Sequence, residues 1–174
     1  MKDLKATIRS VPDFPKPGVV FRDITTLLAD PEATRQAADA IARRYEDAGV
    51  DVVVGIESRG FIFGALVAER LGAAFAPVRK PGKLPGPTID EAYELEYGTD
   101  SVEIHTDAIE PGQNVLLVDD LLATGGTMAA CCRLVERLGG NIVGCAFVIE
   151  LSFLGGREKL DGQQVTALVD YETE

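Results

Sequence analysis

Residues 115–127 read Val-Leu-Leu-Val-Asp-Asp-Leu-Leu-Ala-Thr-Gly-Gly-Thr, and this stretch decides the fold. Four apolar residues run directly into two acids, a pattern typical of a buried strand in a parallel sheet. Asp119 and Asp120 then lie at the carboxyl end of that strand, where open α/β sheets bind their ligands. The glycines allow a close approach to a ligand, and the helix expected after them offers unpaired N–H groups. We therefore predict a phosphate site, in which the acids suit a ligand that also carries hydroxyls or a metal ion, such as a phosphorylated sugar.

The composition limits the classes of protein that fit. The 174 residues suffice for one domain with a sizeable core. A formal net charge of −11 argues against nucleic acid as a partner, because phosphate backbones are bound by clustered cations. No apolar run reaches membrane-spanning length and the charged start is no secretory signal, so we expect no membrane contact and a cytoplasmic location. Cys131, Cys132 and Cys145 are odd in number and lack a metal-like pairing with histidine, so we interpret them as reduced and structural.

Apolar runs alternate with helical patterns along most of the chain. Asp30 and Pro31 suit the N-cap and the first position of a helix, which Gly49 is expected to end. Short links between strands and helices are typical of βαβ units. We therefore predict an α/β fold with a mainly parallel central sheet flanked by helices. The predicted strands are 51–56, 74–78, 115–118, 142–149 and 165–169, and the predicted helices are 31–48, 61–71 and 128–138.

Two segments break this alternation. Residues 11–24 contain three prolines and a glycine, which predicts a stiff, extended loop that is either a packed connector or a lid over a flat apolar ligand. Residues 84–107 begin Leu-Pro-Gly-Pro-Thr and continue with alternating apolar and polar residues, which favours a two-stranded excursion. Insertions of this size in a compact domain are often functional. His105, the only histidine, lies in this segment, and we expect it at the surface or in packing.

An apolar strand that ends in two acids is also typical of nucleotide hydrolases that bind magnesium. That function requires a P-loop, G-x-x-x-x-G-K-[ST]. The nearest match, residues 55–62, has both glycines but carries Phe61 and Ile62 in place of the lysine and the hydroxyl residue. Neither side chain can bind a terminal phosphate or a magnesium ion, so this function is excluded. The dinucleotide fingerprint, the H-E-x-x-H zinc motif and the nucleophile elbow are absent as well.

Positively charged residues follow two of the predicted strands. Arg59 follows the strand 51–56, and a cluster of cations follows the next strand. Since the carboxyl ends of parallel strands meet at one edge of a sheet, these turns should face the same crevice as the acids and glycines of residues 115–127. Two anion sites with a diol site between them suit a ligand phosphorylated at both ends; the alternative is a set of solvated loop charges. The cluster consists of Arg79, Lys80 and Lys83.

The stretch 115–127 resembles over its whole length the phosphoribosyl diphosphate (PRPP) motif of the type I phosphoribosyltransferases. Further segments, together with this motif, resemble the adenine-specific members of that family, and the resemblance covers roughly residues 8–160. It implies the type I phosphoribosyltransferase fold in a single domain over residues 1–174, with a small N-terminal hood at about 8–27 and a flexible catalytic loop at about 81–105. The further segments are 13–15, 17–24, 57–61, 79–80, 82–86 and 95–98.

The resemblance also implies an activity. It implies a glycosyltransferase of purine salvage, which transfers ribose 5-phosphate from PRPP to N9 of adenine and gives AMP and pyrophosphate. Mg²⁺ is the implied cofactor, bound through PRPP and water with no direct ligand from the protein. The implied assembly is a homodimer, in which some of the cations that hold pyrophosphate reach across the interface.

The resemblance assigns a role to each matching residue. Of the implied catalytic residues, Glu96 handles the purine N7 proton and the two aspartates accept from the ribose hydroxyls. The full catalytic set is Glu96, Arg59, Asp119 and Asp120. The 5′-phosphate is expected on Ala123, Thr124, Gly125, Gly126 and Thr127, and pyrophosphate on Ser58, Arg59, Arg79, Lys80 and Lys83. Adenine is expected between Phe21 and Leu121, with Val20 and Arg22 reading its edge through backbone groups.

Two other functions stay open at this point. A regulator that binds PRPP as a signal without catalysis would share the fold, although DNA-binding members typically carry a basic helical module that this acidic sequence lacks. The same reaction with hypoxanthine, guanine or xanthine is the second alternative. An apolar hood with backbone readout favours a 6-aminopurine over these bases.

Overall fold

Five parallel strands form the centre of the computed structural model, which describes residues 2–95 and 98–174. The helices are α1 Leu4–Thr7, α2 Thr25–Leu28, α3 Pro31–Arg44, α4 Gly60–Leu71 and α5 Gly126–Arg137, with 3₁₀ turns at Ser152–Leu154 and Gly156–Leu160. The strands are β1 Arg9–Val11, β2 Phe21–Asp23, β3 Val52–Ile56, β4 Ala74–Val78, β5 Thr88–Glu94, β6 Thr99–His105, β7 Asn114–Leu122, β8 Asn141–Leu151 and β9 Val165–Tyr171. The central sheet has the order β4-β3-β7-β8-β9, and every neighbouring pair in it is parallel. This architecture confirms the predicted α/β fold class.

Strand β7 lies in the middle of the sheet, between β3 and β8. Its apolar run Val115–Val118 is fully buried because helices cover both faces of the sheet. The strand continues to Leu122, so the two acids lie inside its last part rather than after it, and Asp119 pairs with Phe147 of β8. Since all five strands are parallel, the carboxyl ends of β3, β4 and β7 share one edge of the sheet.

Two apolar layers form the core, one on each face of the sheet. Helices α3 and α4 pack on one face, while α5 and the β5–β6 hairpin pack on the other. Cys131, Cys132 and Cys145 belong to the second layer, where all three are buried and free. The sulfur atoms of Cys132 on α5 and Cys145 on β8 lie 3.6 Å apart. None of the helices in the described ranges has the length and apolar content needed to span a membrane.

Helix α3 begins as predicted and ends earlier than predicted. The Asp30 side chain accepts from two backbone N–H groups of the first turn, and Pro31 takes the first helical position. The predicted end at Gly49 is wrong, because the helix stops at Arg44. Tyr45 is buried and its hydroxyl donates to Thr166 Oγ1 at 3.1 Å, so the chain leaves the helix there and turns before β3.

Two small hairpins extend from the central sheet. Strands β1 and β2 form an antiparallel pair within the predicted hood, and β5 and β6 form the predicted two-stranded excursion. Arg79 and Glu103 exchange backbone hydrogen bonds of 3.0 and 2.7 Å, which attach β6 to the end of β4. His105 Nε2 donates to the Pro85 carbonyl at 2.7 Å, a packing role as expected. The loop of the second hairpin therefore starts from an anchored base beside the carboxyl edge of the sheet.

Candidate active site

A cavity of about 250 Å³ opens at the carboxyl edge of β3, β4 and β7. It adjoins a smaller cavity of about 90 Å³ formed by the turn between β7 and α5, since both are lined by Asp119, Leu121 and Thr127. A larger, open groove of about 720 Å³ lies elsewhere, between α1, α3 and β9. The residues that line the first cavity are Glu57, Ser58, Arg59, Lys80, Tyr93, Val102, Asp119, Asp120, Leu121 and Thr127.

Arg59 and Asp120 form an ion pair within this cavity. Arg59 Nε donates to Asp120 Oδ2 at 2.5 Å, and Asp120 is only 4 % exposed whereas the arginine side chain is half exposed. Burial is the largest single influence and lowers the pKa of Arg59, but the hydrogen bond to Asp120 and the negative charges of Asp120, Asp119 and Asp23 together outweigh it and raise that pKa. The guanidinium carbon lies 5.6 Å from the centre of the Phe21 ring. Arg59 thus connects the acid on β7 with the hood.

The absence of a side chain at Gly60 permits this contact. A Cβ at Gly60 would lie 2.8 Å from both the Val118 carbonyl oxygen and Asp119 Oδ1. Only glycine therefore allows the first turn of α4 to touch β7. Since Arg59 is the N-cap residue of α4, the same approach brings its side chain to the acids.

Asp119 lies in an environment that opposes its negative charge. Burial and the neighbouring Asp120 carboxylate raise the pKa of Asp119 well above its ordinary value. Its Oδ1 accepts from the Asp120 backbone N–H at 2.9 Å, and this hydrogen bond only partly offsets the rise in the pKa of Asp119. The side chain keeps some exposure toward the cavity. A cation or a hydroxyl donor bound there would relieve the repulsion between the two acids.

This environment predicts a pH-dependent gain of stability in Asp119→Asn. An acid whose pKa is raised by folding destabilises the folded state increasingly as pH rises from the unfolded value of about 3.9 through the folded value. The asparagine variant lacks this loss, so its thermal midpoint should exceed that of the parent at neutral pH and approach it in acid. Thermal unfolding from about pH 4 to pH 8 measures the difference.

Asp39→Asn is the matched control, and its expected change in stability at neutral pH has the opposite sign. Its carboxylate accepts from Arg70 Nε at 2.5 Å, and this hydrogen bond lowers the pKa of Asp39. The stability that this pair adds is present above the unfolded pKa and is lost as pH falls through the lowered value. Asp39→Asn should therefore be less stable than the parent at neutral pH. A lower midpoint for Asp119→Asn at neutral pH would contradict the prediction for the site.

The turn from β7 into α5, residues Ala123–Thr127, forms an anion cradle that we call the phosphate loop. Gly125 adopts a left-handed conformation with φ of +78°, which turns the chain into the helix. The backbone N–H groups of the first helical turn have no partner within the helix and lie at its positive end. The small cavity is lined by every residue of this loop. Its geometry suits a phosphate group.

The cations predicted for pyrophosphate fall into two groups. Arg59 and Lys80 line the cavity together with Ser58, whereas Arg79 and Lys83 do not. Arg79 Nε and Nη2 instead donate to the two carboxylate oxygens of Glu57, each at 3.2 Å, and Lys83 is exposed. The contact with Arg79 lowers the pKa of Glu57. Lys80 pairs with Asp100 and donates to the Tyr93 hydroxyl at 2.6 Å.

The hood places the Phe21 side chain beside Arg59. The Phe21 ring packs edge-on against Phe14, with 5.2 Å between ring centres. The Arg22 side chain turns away, with its guanidinium carbon 3.9 Å from the Tyr171 ring centre. Val20, Phe21 and Arg22 line neither of the two cavities. Of the other residues predicted for the base, Val20 directly precedes β2 and Leu121 lines both cavities. The predicted catalytic Glu96 lies outside the described residues.

Several residues with no role predicted from the sequence lie in or beside the site. Glu57, Tyr93 and Val102 line the first cavity, and Lys159 Nζ lies 4.0 Å from the position a Cβ at Gly126 would take. Lys159 could have been predicted as a site residue, because two glycines and an Arg-Glu-Lys run follow the carboxyl end of β8. Across residues 2–95 and 98–174, no group of three or more His, Cys, Asp or Glu side chains is arranged to hold a metal ion.

Comparison with known proteins adds independent evidence. A family model described as phosphoribosyl transferase domain matches residues 23–165. The chain is 59 % identical to the adenine phosphoribosyltransferase of Clostridium perfringens over 97 % of its length and 98 % of that protein. The crystal structure of adenine phosphoribosyltransferase from Thermoanaerobacter pseudethanolicus superimposes with a TM-score of 0.94 at 52 % identity, covering 97 % and 98 % of the two chains. The enzyme from Saccharomyces cerevisiae, complexed with an imino-altritol bisphosphate and adenine, gives 0.91 at 44 % identity, covering 95 % and 96 %.

Proposed function

Because the chain belongs to the adenine phosphoribosyltransferases of the phosphoribosyl transferase domain family, we propose that it catalyses purine salvage. It transfers the ribose 5-phosphate of PRPP to N9 of adenine and releases AMP and pyrophosphate. One observation carries this proposal beyond the similarity. Asp119 and Asp120 line one cavity together with the cations Arg59 and Lys80, and Asp119 also lines the adjoining cavity of the phosphate loop. PRPP has the same order of groups, with a diol between two anions.

The two acids act on the ribose of PRPP. They accept hydrogen bonds from its 2′- and 3′-hydroxyls while the phosphate loop holds the 5′-phosphate through backbone N–H groups and the hydroxyls of Thr124 and Thr127. As the bond from C1′ to pyrophosphate breaks, positive charge develops on the sugar, and carboxylates nearby stabilise it. The position of the acids beside the phosphate loop supports this role.

The pyrophosphate leaves toward the cations of the cavity. Ser58, Arg59 and Lys80 hold it within one chain. Arg59 must exchange the Asp120 carboxylate for the pyrophosphate, which frees that carboxylate for the ribose. The protein forms a homodimer, in which the exposed Lys83 and its neighbour Arg79 act on pyrophosphate at the interface between subunits.

Adenine binds between the Phe21 ring and the Leu121 side chain. Backbone groups of Val20 and Arg22 read its edge, and the stacking of the Arg22 side chain on Tyr171 supports readout by the backbone rather than by this side chain. Apolar walls with a few polar groups are typical of small-molecule sites. Closure of the loop that contains Glu96 excludes water from the sugar cation.

The donor set suits Mg²⁺ as a cofactor held mainly by the substrate. Asp119 and Asp120 are oxygen donors, which Mg²⁺ prefers, but two adjacent carboxylates do not make a complete protein site. Asp119 and Asp120 would lie beside a Mg²⁺ ion held mainly through the oxygens of PRPP and water. When bound, the ion would neutralise charge on the leaving pyrophosphate.

Glu96→Gln should lower kcat by about 10²-fold, because Glu96 handles the proton of purine N7 and a general acid or base contributes at least this factor. The KM for PRPP should change little, since the glutamate does not hold that substrate. Steady-state kinetics with each substrate varied in turn measure both quantities. Equal turnover of variant and parent would remove Glu96 from the catalytic residues.

Nucleotide formation from single bases tests the proposed function. The protein is mixed with Mg²⁺, PRPP and either adenine, hypoxanthine, guanine or xanthine, and products are separated by chromatography. AMP from adenine alone is expected. Binding of PRPP with no product from any base would favour a regulator, and product from guanine alone would overturn the base assignment.

Sedimentation analysis tests the homodimer, and the cytoplasmic location stays a prediction from the sequence.

A further inference from the structure

An ion pair between the buried Glu150 and the half-exposed Arg157 lies beside the phosphate loop. Glu150, near the end of β8, is only 5 % exposed. Arg157 Nε and Nη2 donate to its two carboxylate oxygens, each at 2.6 Å, and Nη1 donates to the Val165 carbonyl at 3.0 Å. A planar bidentate pair fixes direction as well as distance. The position of the second 3₁₀ turn, Gly156–Leu160, is thereby set relative to the sheet.

Gly156, the residue before Arg157, touches the phosphate loop with its backbone. A Cβ at Gly156 would lie 2.2 Å from the Ala123 carbonyl oxygen, and a Cβ at Gly125 would lie 2.3 Å from the Gly156 carbonyl oxygen. A side chain fits at neither glycine. The phosphate loop therefore rests directly on the 3₁₀ turn, and a displacement of the turn must either move the loop or open a gap behind it.

We propose that the Glu150–Arg157 pair positions the phosphate loop through Gly156, and that it keeps the N–H groups of the loop directed at the ligand's phosphate. The inference rests on the proposed function of this loop as the 5′-phosphate site. Neither Glu150 nor Arg157 lines the two cavities of the site, so both act indirectly as positioning residues. An ion pair with a half-exposed partner adds little net stability, but its bidentate geometry can fix one arrangement of the chain.

The kinetic test compares Glu150→Gln, Arg157→Met and Arg157→Lys with the parent. The first two variants should raise the KM for PRPP by about 10-fold, since misdirected N–H groups lose part of a charge-assisted contact, while kcat and the KM for adenine change little. Arg157→Lys keeps the charge and should lie closer to the parent than Arg157→Met. Arg70→Met is the matched control, because it breaks the Arg70–Asp39 pair between α3 and α4, away from the loop.

A second measurement needs no catalysis and therefore separates this inference from the proposed function. Amide hydrogen exchange is followed in a peptide spanning residues 119–130, and ribose 5-phosphate binding is measured by calorimetry. We expect faster exchange at residues 123–127 and about 10-fold weaker binding of ribose 5-phosphate in the Glu150 and Arg157 variants only. Unchanged binding and exchange, or changes equal to those of Arg70→Met, would overturn the proposal. If the variants show these changes in exchange and ribose 5-phosphate binding but the parent forms no AMP, only the proposed function is overturned.

Discussion

Replacing Gly125 by alanine is expected to lower kcat/KM for PRPP by about 10³-fold. The added Cβ would lie 2.3 Å from the Gly156 carbonyl oxygen, and φ at this position is +78°. Backbone atoms cannot rotate away as a flexible side chain can, so the phosphate loop must move. Several N–H groups then lose their alignment with the phosphate, and the loss of one preorganised donor alone typically costs about 10²–10³-fold. Initial rates at low PRPP concentration measure the effect.

Gly162→Ala separates the steric effect from backbone strain. Gly162 has a similar φ of +83°, but no atom lies within 4 Å of the position its Cβ would take. Both variants therefore carry the cost of a left-handed alanine, and only Gly125→Ala also collides with the backbone. Similar kinetics for the two variants would contradict the steric explanation. Circular dichroism of both variants checks that the fold is retained.

Asp120→Asn is expected to lower kcat by about 10²–10³-fold, the range typical for the loss of a preorganised group that stabilises charge in the transition state. The substitution preserves the size of the side chain and an oxygen that can accept from Arg59. It removes the negative charge that faces the developing sugar cation. Single-turnover formation of AMP at saturating adenine and PRPP measures the chemical step.

The control for Asp120→Asn is again Asp39→Asn. Both variants neutralise a carboxylate paired with an arginine at 2.5 Å, but only Asp120 lies in the cavity. Asp39→Asn should therefore lose stability and keep its turnover. If Asp120→Asn turned over as fast as Asp39→Asn, the carboxylate of Asp120 would have no role in the chemical step.

Much of the fold and part of the site follow from local sequence patterns. The apolar run 115–118 favours a buried strand and the Asp30–Pro31 pair favours the start of a helix, so both features were predictable. The two acids, the glycines and Arg59 were predictable as one site because they follow strands of the same direction. Each of these inferences depends on residues that are near in sequence or on the simple geometry of a parallel sheet.

The rest depends on contacts between distant parts of the chain. Tyr45, the residue at which α3 ends early, donates its hydroxyl to Thr166 on β9. Arg79 binds Glu57 rather than lining the cavity, and Arg22 stacks on Tyr171 near the end of the chain. No local pattern specifies such partners. The contact of Gly156 with the phosphate loop likewise joins distant parts of the chain and could not be predicted from a local pattern.

The three buried cysteines give the protein an internal reporter of local opening. Burial raises the pKa of Cys131, so its sulfur stays a protonated thiol that reacts slowly. Cys132 and Cys145 lie sulfur to sulfur between α5 and β8. An alkylating reagent can reach them only when this helix separates from the sheet. The rate of alkylation therefore reports how often the helix that follows the phosphate loop detaches, with no engineered label in the protein.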